Sequence, residues 1–358
     1  MFKPNFRITP QITSALMQSE ACRQAIDDLP IDATVLRHLR ETAALMTTHF
    51  STQIEGNRLA LAEVRAAIKG ERMPGRERDE REVHNHFLAL SMMEELSEQP
   101  GLLSEEEIQR LHGLVMTGRD KSSPYRTTQN AIRDSSTGRI VYFPPEAPDV
   151  PLLMQSLTEG INAELAEGEL PAPIVAALAH YQFATIRPYL DGNGRTARSL
   201  TTLILRKAGY GLKGIYSPDE HYAKDLSSYY STLTVGSHNY HDGRAEGDVT
   251  PFVSYFCAGM ADAFTKVRTA ATRAEKRTAV EHSALLRDLD PRQRRLLELF
   301  RKQGSATSAE MAAYLEMSPR TLVQLNREWI ESGYLEYQSA ARKNRSYRLG
   351  ARFHQLYS

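Results

Sequence analysis

The sequence predicts a mainly α-helical protein with a short β-hairpin and a C-terminal winged helix-turn-helix domain. Apolar residues recur every three or four positions through most of the chain from Ala33 to Val280, which is the period of a helix face. Between Ala131 and Pro145, short β-prone runs flank a Ser-Ser-Thr-Gly stretch and end in two prolines, a pattern typical of a hairpin. After about Ala284, three short helical patterns precede two strand patterns around a basic loop, which is the order of a winged helix.

Length and composition exclude several classes of protein. A chain of 358 residues favours two or three domains. Lysine plus arginine and aspartate plus glutamate balance at 44 each, so net charge indicates no class of partner. Two cysteines far apart, Cys22 and Cys257, argue against a disulfide scaffold or a cysteine metal cluster and fit a reducing compartment. Because we find neither a signal peptide nor a run of about 20 apolar residues, we expect a soluble, cytoplasmic protein without a membrane segment.

The helical elements follow in chain order. The first apolar stripe covers Ala33–Ile54 and ends at Gly56-Asn57, which supply a left-handed stop. Periodicity predicts further helices over Leu61–Ile68, Glu80–Leu96, Ser104–Met116, Val150–Ala166, Pro173–Thr185, Gly194–Lys207, Ala223–Thr234 and Thr250–Val280. The part from Thr265 to Thr278 is interpreted as an extended helix that leads out of the main domain.

A glycine turn between two of these helices has the composition of a phosphate site. The amides of Gly192–Gly194 open a helix, where unpaired N–H groups and the helix dipole bind anions, and glycine allows close approach. Arg195 and Arg198 are three residues apart, so both guanidinium groups face one side of the helix. Asp191, just before the turn, is an oxygen ligand suited to Mg²⁺. The alternative, a glycine turn with two surface arginines, fits this combination less well.

The stretch RPYLDGNGRTAR, residues 187–198, resembles the signature of the Fic family, HPFx(D/E)GNGRxxR. It differs at Arg187, where the family has histidine, and at Tyr189, where it has phenylalanine. STQIEGN, residues 51–57, is similar to the family's inhibitory motif (S/T)xxxE(G/N), and the hairpin ending in YFPP lies where the family has its target-docking flap. GDVTPFVSYF, residues 247–256, resembles the helix that closes the Fic core. The likeness extends over about residues 33–264, and a winged helix is a common appendage of such proteins.

The resemblance implies a Fic-type helical bundle that transfers AMP from ATP, with Mg²⁺, to a hydroxyl side chain of a target protein. The target would dock on the flap at about residues 131–145. The implied domains are an N-terminal helical region (1–110, with an inhibitory helix at about 33–57), a Fic core (111–264), a linker helix (265–284) and a winged-helix domain (285–358).

The resemblance also assigns roles to residues. The catalytic set would be Arg187, Asp191, Asn193, Arg195 and Arg198, with Asp191 holding the metal. The anion hole would be Gly192, Asn193 and Gly194, while Arg195 and Arg198 would grip the β- and γ-phosphates. The tyrosine that contacts adenine falls on Tyr230, beside Tyr229, and core packing of these two tyrosines is an equal alternative. In the inhibitory motif, Glu55 would pair with Arg198, and Ser51 would hydrogen-bond beside this pair. We call these three residues the latch. The alternative is a glutamate that faces water.

Arg187 occupies the position of the histidine that deprotonates the incoming hydroxyl. A histidine with a pKa near 6.5 accepts a proton at neutral pH, whereas an arginine offers only donors. Loss of a general base lowers a rate by roughly 10²–10⁴, although a guanidinium beside the α-phosphate could tighten nucleotide binding or stabilise transition-state charge. His180 is two helical turns upstream, and structural roles are the more common expectation for it and for His221, His238 and His241. An engineered inactivating change, a natural pseudoenzyme and an altered activity all stay open.

The C-terminal domain carries a local excess of positive charge. From Ser283 to the end of the chain, 13 lysines and arginines stand against 8 aspartates and glutamates, a net of +5. The residues that could contact DNA phosphates are Arg320, Gln324 and Arg327 of the third helix, and Arg342, Lys343, Arg345 and Arg348 of the wing. The alternative is a module for protein contact or homodimerisation. Two functions therefore remain at this point, an autoinhibited adenylyltransferase and a nucleotide-sensing DNA-binding regulator.

Overall fold

The computed structural model describes residues 4–133, 137–235, 247–339 and 345–356. Contacts divide the chain into one unit of residues 1–29 and 36–270 and a second of residues 30–35 and 271–358. The domain boundaries given above stay predictions. Within the described part of the chain, we find no helix with the length and apolar character needed to cross a lipid bilayer.

The mainly α class is confirmed. Up to residue 288 the α-helices are α1 (Pro10–Asp27), α2 (Ala33–Ile54), α3 (Leu61–Ile68), α4 (Glu77–Glu98), α5 (Glu105–Thr117), α6 (Val150–Glu167), α7 (Ala172–Ile186), α8 (Asn193–Lys207), α9 (Asp219–Lys224), α10 (Leu226–Thr232) and α11 (Thr250–Asp288). A β-hairpin lies between α5 and α6, with strands β1 (Ile132–Arg133) and β2 (Ile140–Tyr142).

Two elements differ from the sequence-based expectation. Helix α1 was not predicted, because buried Ser19 interrupts its apolar face. The prediction of one helix over Ala223–Thr234 is wrong, since α9 and α10 are separate helices. The break falls at Asp225, whose carboxylate accepts a hydrogen bond from the Ser228 amide at 2.9 Å and so starts a new helix as its cap.

Helices α7 and α8 form the centre of the first unit and fix the position of the turn between them. Helix α7 carries apolar side chains on all of its faces, and nearly all of its residues are buried, as expected of a helix enclosed by other helices. The α8 face toward the core buries Leu200, Leu203 and Ile204. The turn thus connects two helices that the core holds on both sides.

The hairpin is anchored to the same core. Ile132 pairs with Tyr142 and Arg133 with Ile140 in antiparallel register. Tyr142 is buried, and its hydroxyl donates to the Thr185 carbonyl of α7 at 2.6 Å. Ile140 and Val141 remain exposed. The hairpin therefore presents apolar side chains from a base that is tied close to the end of α7.

The second unit follows the element order that the sequence predicts. It contains α12 (Pro291–Gln303), α13 (Ser308–Tyr314) and α14 (Pro319–Glu331), with an antiparallel sheet in the order β3 (Ala306–Thr307), β5 (Ser346–Leu349), β4 (Leu335–Ser339). Its core includes Met311, Leu322 and Trp329.

The basic residues predicted for DNA binding differ in what the structure says of them. Arg320, Gln324 and Arg327 are exposed on α14. Arg345 is exposed beside the Tyr337 ring, whereas Arg348 is paired with Glu336 at 3.3 Å. Arg342 and Lys343 lie outside the described residues.

Candidate functional site

The turn between α7 and α8 has two left-handed residues that shape it. Arg187 ends α7 with φ 47°, and Gly192 precedes α8 with φ 74°. A Cβ at position 192 would collide with the Met116 side chain, so both the backbone angle and the available space require glycine there. Asn193 closes the turn, because its Oδ1 accepts from the Tyr189 amide at 3.0 Å and its Nδ2 donates to the Tyr189 carbonyl at 2.7 Å. Asn193 is therefore a positioning residue for the turn.

The buried side chains of Arg126 and His112, which the sequence analysis did not identify, stabilise this turn. Arg126 donates from Nε to the Arg187 carbonyl at 2.9 Å, and its amide donates to the Pro188 carbonyl at 2.8 Å. His112 stacks on Tyr189 with 3.5 Å between ring centroids, and its Nε2–H donates to the Asp191 carbonyl at 3.0 Å. The signature does not include either residue, since both lie more than fifty positions upstream and meet the turn only through the fold.

The resemblance groups Glu55, Ser51 and Arg198 in the latch, and in the structure both Glu55 and Ser51 lie within hydrogen-bond distance of Arg198. Arg198 donates from Nη2 to Glu55 Oε1 at 3.0 Å and from Nε to Ser51 Oγ at 3.1 Å. The Arg198 side chain is only 1% exposed, whereas that of Glu55 is 27% exposed. A Cβ on Gly194 would collide with Glu55 Oε1, so this carboxylate lies directly against the glycine turn.

Arg198 has a second carboxylate partner that the sequence did not indicate. Asp219, the first residue of α9, lies with Oδ1 at 3.1 Å from Arg198 Nε, and both side chains are almost fully buried. Burial raises the pKa of Asp219, and the charge of Arg198 opposes that shift. A buried carboxylate without a cation would be costly, so the two groups depend on each other.

Arg195 is also buried but, among the described residues, has no carboxylate beside it. It is 4% exposed, and its Nη2 lies 3.6 Å from the Met116 sulfur. Among the described residues, its Nε is buried without a hydrogen-bond acceptor and no carboxylate lies within ion-pair distance. A desolvated guanidinium in this state favours any anion that can reach it.

Arg187 adds a third cation beside the turn. Its Nε is buried and finds no hydrogen-bond acceptor within the described ranges. Burial lowers the pKa of Arg187, while the negative charges of Glu55 and Asp191 act in the opposite direction. An arginine stays protonated even so. The group at this position can donate hydrogen bonds and attract anions, but it cannot accept a proton.

The histidines considered as substitutes for a base have other places in the structure. His180 is fully buried, with Nδ1 3.0 Å from Thr201 Oγ1 and Nε2 2.8 Å from the Tyr229 hydroxyl. The ring of His221 packs against Tyr255 of α11, 4.7 Å between centroids. His238 and His241 lie outside the described residues. Tyr229 is thus a core aromatic, whereas its neighbour Tyr230 is 51% exposed and open to a ligand.

Asp191 is the acidic residue at the turn that could hold a metal ion. It is exposed, and its Oδ1 accepts from the Gly192 amide at 2.7 Å. The described residues contain no group of three or more histidine, cysteine, aspartate or glutamate side chains arranged for a metal. Mg²⁺ commonly binds one or two carboxylates together with phosphate oxygens and waters. A single carboxylate beside the glycine turn is consistent with such coordination.

Residues 102–205 match the Fic/DOC family, so the chain carries a Fic/DOC family domain that includes α7, the turn and α8 as far as residue 205. It is homologous to proteins named protein adenylyltransferase Fic. That of Drosophila grimshawi is 29% identical over 252 residues, which cover 67% of this chain and 46% of the relative. That of Drosophila willistoni is 28% identical over 250 residues, which cover 67% and 45%. The chain spans about half the length of these curated relatives.

Two solved structures have a similar fold. A Fic family protein from Desulfovibrio desulfuricans is 25% identical with a TM-score of 0.58, and the match covers 98% of this chain and 99% of that one. A Fic domain containing signaling protein from Bacteroides thetaiotaomicron is 24% identical with a TM-score of 0.62, and covers 73% and 97%.

The buried histidines near the site predict a loss of stability in acid. Burial lowers the pKa of His86 and of His180 to about 3 and that of His112 to about 4. In the unfolded chain each would titrate near 6.5, so below that pH the unfolded state binds more protons and unfolding becomes easier. Between pH 7 and pH 5 each histidine should lower the free energy of unfolding by about 2 kcal/mol.

Urea unfolding at the two pH values measures this effect. His86→Gln should reduce the difference by the share of one histidine, whereas His84→Gln, at an exposed position on the same helix, should leave it unchanged. An identical pH dependence in the two variants would show that the burial of His86 contributes nothing.

Proposed function

We propose that the chain is a protein adenylyltransferase that binds ATP with Mg²⁺ at the α7–α8 turn, is autoinhibited by Glu55, and transfers AMP poorly because of Arg187. The observation that carries the proposal is the pair of buried guanidinium groups beside the turn, of which Arg195 has no carboxylate partner among the described residues. Two cations that the fold has removed from water favour a highly charged anion, and a triphosphate is such an anion. The homology to Fic adenylyltransferases supports ATP as the substrate.

Each part of the nucleotide has a place in this proposal. The amides at the start of α8 bind phosphate oxygens, since the first turn of a helix leaves its N–H groups without helical partners. Arg195 and Arg198 hold the β- and γ-phosphates. Asp191 holds Mg²⁺, which would neutralise phosphate charge. Tyr230 is the candidate for contact with adenine, because its ring is exposed while that of Tyr229 is not.

The transferred group moves from ATP to a target hydroxyl. The hydroxyl oxygen forms a bond to the α-phosphorus, the bond from that phosphorus to the oxygen bridging the β-phosphate breaks, and pyrophosphate leaves. The hydroxyl proton needs an acceptor, and Arg187 is not one. The target would dock on the flap at about residues 131–145, where exposed Ile140 and Val141 offer apolar contacts. Two buried free cysteines fit a cytoplasmic location.

The Glu55 carboxylate supports autoinhibition because it pairs with Arg198 and lies against Gly194. A γ-phosphate on Arg198 would have to displace it. Replacement of Glu55 by glycine should therefore tighten ATP binding by about tenfold or more, the equivalent of one charge-assisted hydrogen bond. Titration calorimetry with ATP and Mg²⁺ measures the change.

Glu55→Gln is the matched control, since it keeps the volume of the side chain and removes its charge. An intermediate affinity is expected for it. If ATP gives no heat with either variant, the turn is not a triphosphate site and the proposed function is wrong.

Arg187→His should restore AMP transfer in the Glu55→Gly background. A neutral imidazole at this position can accept the hydroxyl proton, and the gain should be roughly 10²–10⁴ in rate. Labelled ATP and detection of modified protein measure the transfer. Arg187→Gln removes the same charge without supplying a base, so it separates general-base catalysis from loss of a cation. Equal rates in the histidine and glutamine variants would contradict the assigned role of position 187.

The alternative is a nucleotide-binding, winged-helix transcriptional regulator without transferase activity. It is favoured by Arg187 and by the exposed face of α14 that carries Arg320, Gln324 and Arg327. Side chains spaced like this on an exposed helix suit phosphate and base contacts in a major groove. The same unit could instead mediate contact with another protein or homodimerisation.

A gel shift with promoter DNA separates these uses of the second unit. DNA binding predicts a shift that weakens with salt and is lost in an Arg320→Gln, Arg327→Gln double variant. Arg301→Gln, at an exposed position on α12, is the control and should bind normally. A shift that changes with ATP, without labelled product, supports the regulator. If no shift occurs at low salt, the unit does not bind DNA.

A further inference from the structure

A cavity lies between α2, α3, α4 and α8. Its volume is about 600 Å³. The apolar part of its wall includes Leu45, Phe87 and Leu90. None of the residues that form the α7–α8 turn lines this cavity, so it is separate from the proposed ATP site.

The cavity and the contact of Ser51 and Glu55 with Arg198 both lie between α2 and α8. Arg198, Thr202 and Arg206 are four residues apart on α8 and so lie on one face of that helix. Ser51 of α2 bonds Arg198, whereas Arg40, three turns earlier, donates to the Lys213 carbonyl beyond the end of α8 at 2.6 Å. The two helices therefore run antiparallel, and the cavity lies between them beside Thr202 and Arg206, one to two turns from the latch.

The charged groups of the cavity wall are mostly positive. Arg40, Arg65, Lys69 and Arg206 contribute four cations, against the two carboxylates of Glu41 and Glu94. Arg206 differs from the other three in its burial. Burial lowers its pKa, and within the described part of the chain its guanidinium makes no hydrogen bond or ion pair, although Glu94 attracts it at longer range. Such a group stabilises an anion that brings its own apolar surface.

We propose that this cavity binds a small organic anion with an apolar body, whose acid group pairs with Arg206. Arg65 and Lys69 are exposed in the last turn of α3 and would attract the anion to the mouth. The apolar body would pack on Leu45, Phe87 and Leu90. The half-buried Arg206 guanidinium, which makes no hydrogen bond or ion pair among the described residues, is thus available at the cavity wall.

Binding here should also favour the latched state, a consequence that rests on the proposed function. The cavity is formed in the conformation in which Glu55 holds Arg198, and its wall includes the middle of α2. A ligand that binds this conformation better than the open one shifts the equilibrium toward it. By linkage, ATP and the anion would then weaken the binding of each other.

Anilinonaphthalene sulfonate and its uncharged parent anilinonaphthalene are a matched pair of fluorescent probes for the site. The sulfonate should bind the full chain without nucleotide, and Arg206→Gln should weaken its binding by about tenfold. Arg65→Gln, which removes an exposed cation and should not affect folding, should weaken it less. Arg37→Gln, an exposed position on α2 outside the cavity wall, is the control and should leave the affinity unchanged.

Each outcome decides the proposal. Equal binding of the sulfonate and the parent, or equal affinity in the Arg206→Gln and Arg37→Gln variants, would leave only nonspecific apolar binding and overturn the anion site. Absence of binding would overturn it as well. The coupling is tested by repeating the sulfonate titration at saturating ATP and Mg²⁺, where weaker binding is expected and unchanged binding refutes the link to the latch. If ATP itself does not bind, the coupling falls with the proposed function, whereas the anion site, measured without nucleotide, stands.

Discussion

Arg198 is a buried cation, and the arrangement of three helices depends on the groups that compensate its positive charge. It lies on α8, and its partners are Ser51 and Glu55 at the end of α2 and Asp219 at the start of α9. Removing one partner of a buried pair typically costs about 3–5 kcal/mol, because it leaves the other charge uncompensated. The guanidinium therefore ties α2 and α9 to the helix that begins at the glycine turn.

Sequence reasoning could find the parts of this site that are local in the chain. The glycine turn and the two arginines at helical spacing are short patterns with direct physical meaning, whereas Glu55 was singled out by the resemblance of its motif, and the structure brings these residues together. Asp219, Arg126 and His112 could not be found in this way, since their contacts to the turn or to Arg198 arise only when distant helices pack. The assignment of Tyr229 to the core and Tyr230 to the surface depends on helix phase, where one residue corresponds to about 100° of rotation. The break at Asp225 made that phase uncertain from periodicity alone.

The three arginines around the turn differ in their proposed roles. Arg195 and Arg198 concern the binding of phosphate, whereas position 187 concerns the transfer of a proton. Arg195 and Arg198 can hold phosphate oxygens whatever stands at position 187, because their positions depend on α8 and on the turn that Asn193 closes. Arg187 adds to the positive potential at the same place, so an arginine at this position is compatible with the proposed anion site. It offers no group that could take a proton. Under the proposed function, a site with this composition would bind nucleotide better than it catalyses transfer, which is compatible with an enzyme and with a ligand-dependent regulator.

The unequal burial of the latch residues indicates which of them moves. Glu55 is partly in contact with solvent and can regain water when it leaves, whereas Arg198 would lose every partner it has. When Glu55 leaves, the Asp219 carboxylate still compensates the positive charge of Arg198, so the guanidinium stays in position for an incoming phosphate. Under the proposed autoinhibition, release of the contact between Glu55 and Arg198 would be a movement of the end of α2 while α8 stays in place. Under the same proposal, an anion bound in the cavity between these two helices would act on that movement, and Arg206, which makes no hydrogen bond or ion pair among the described residues, lies there.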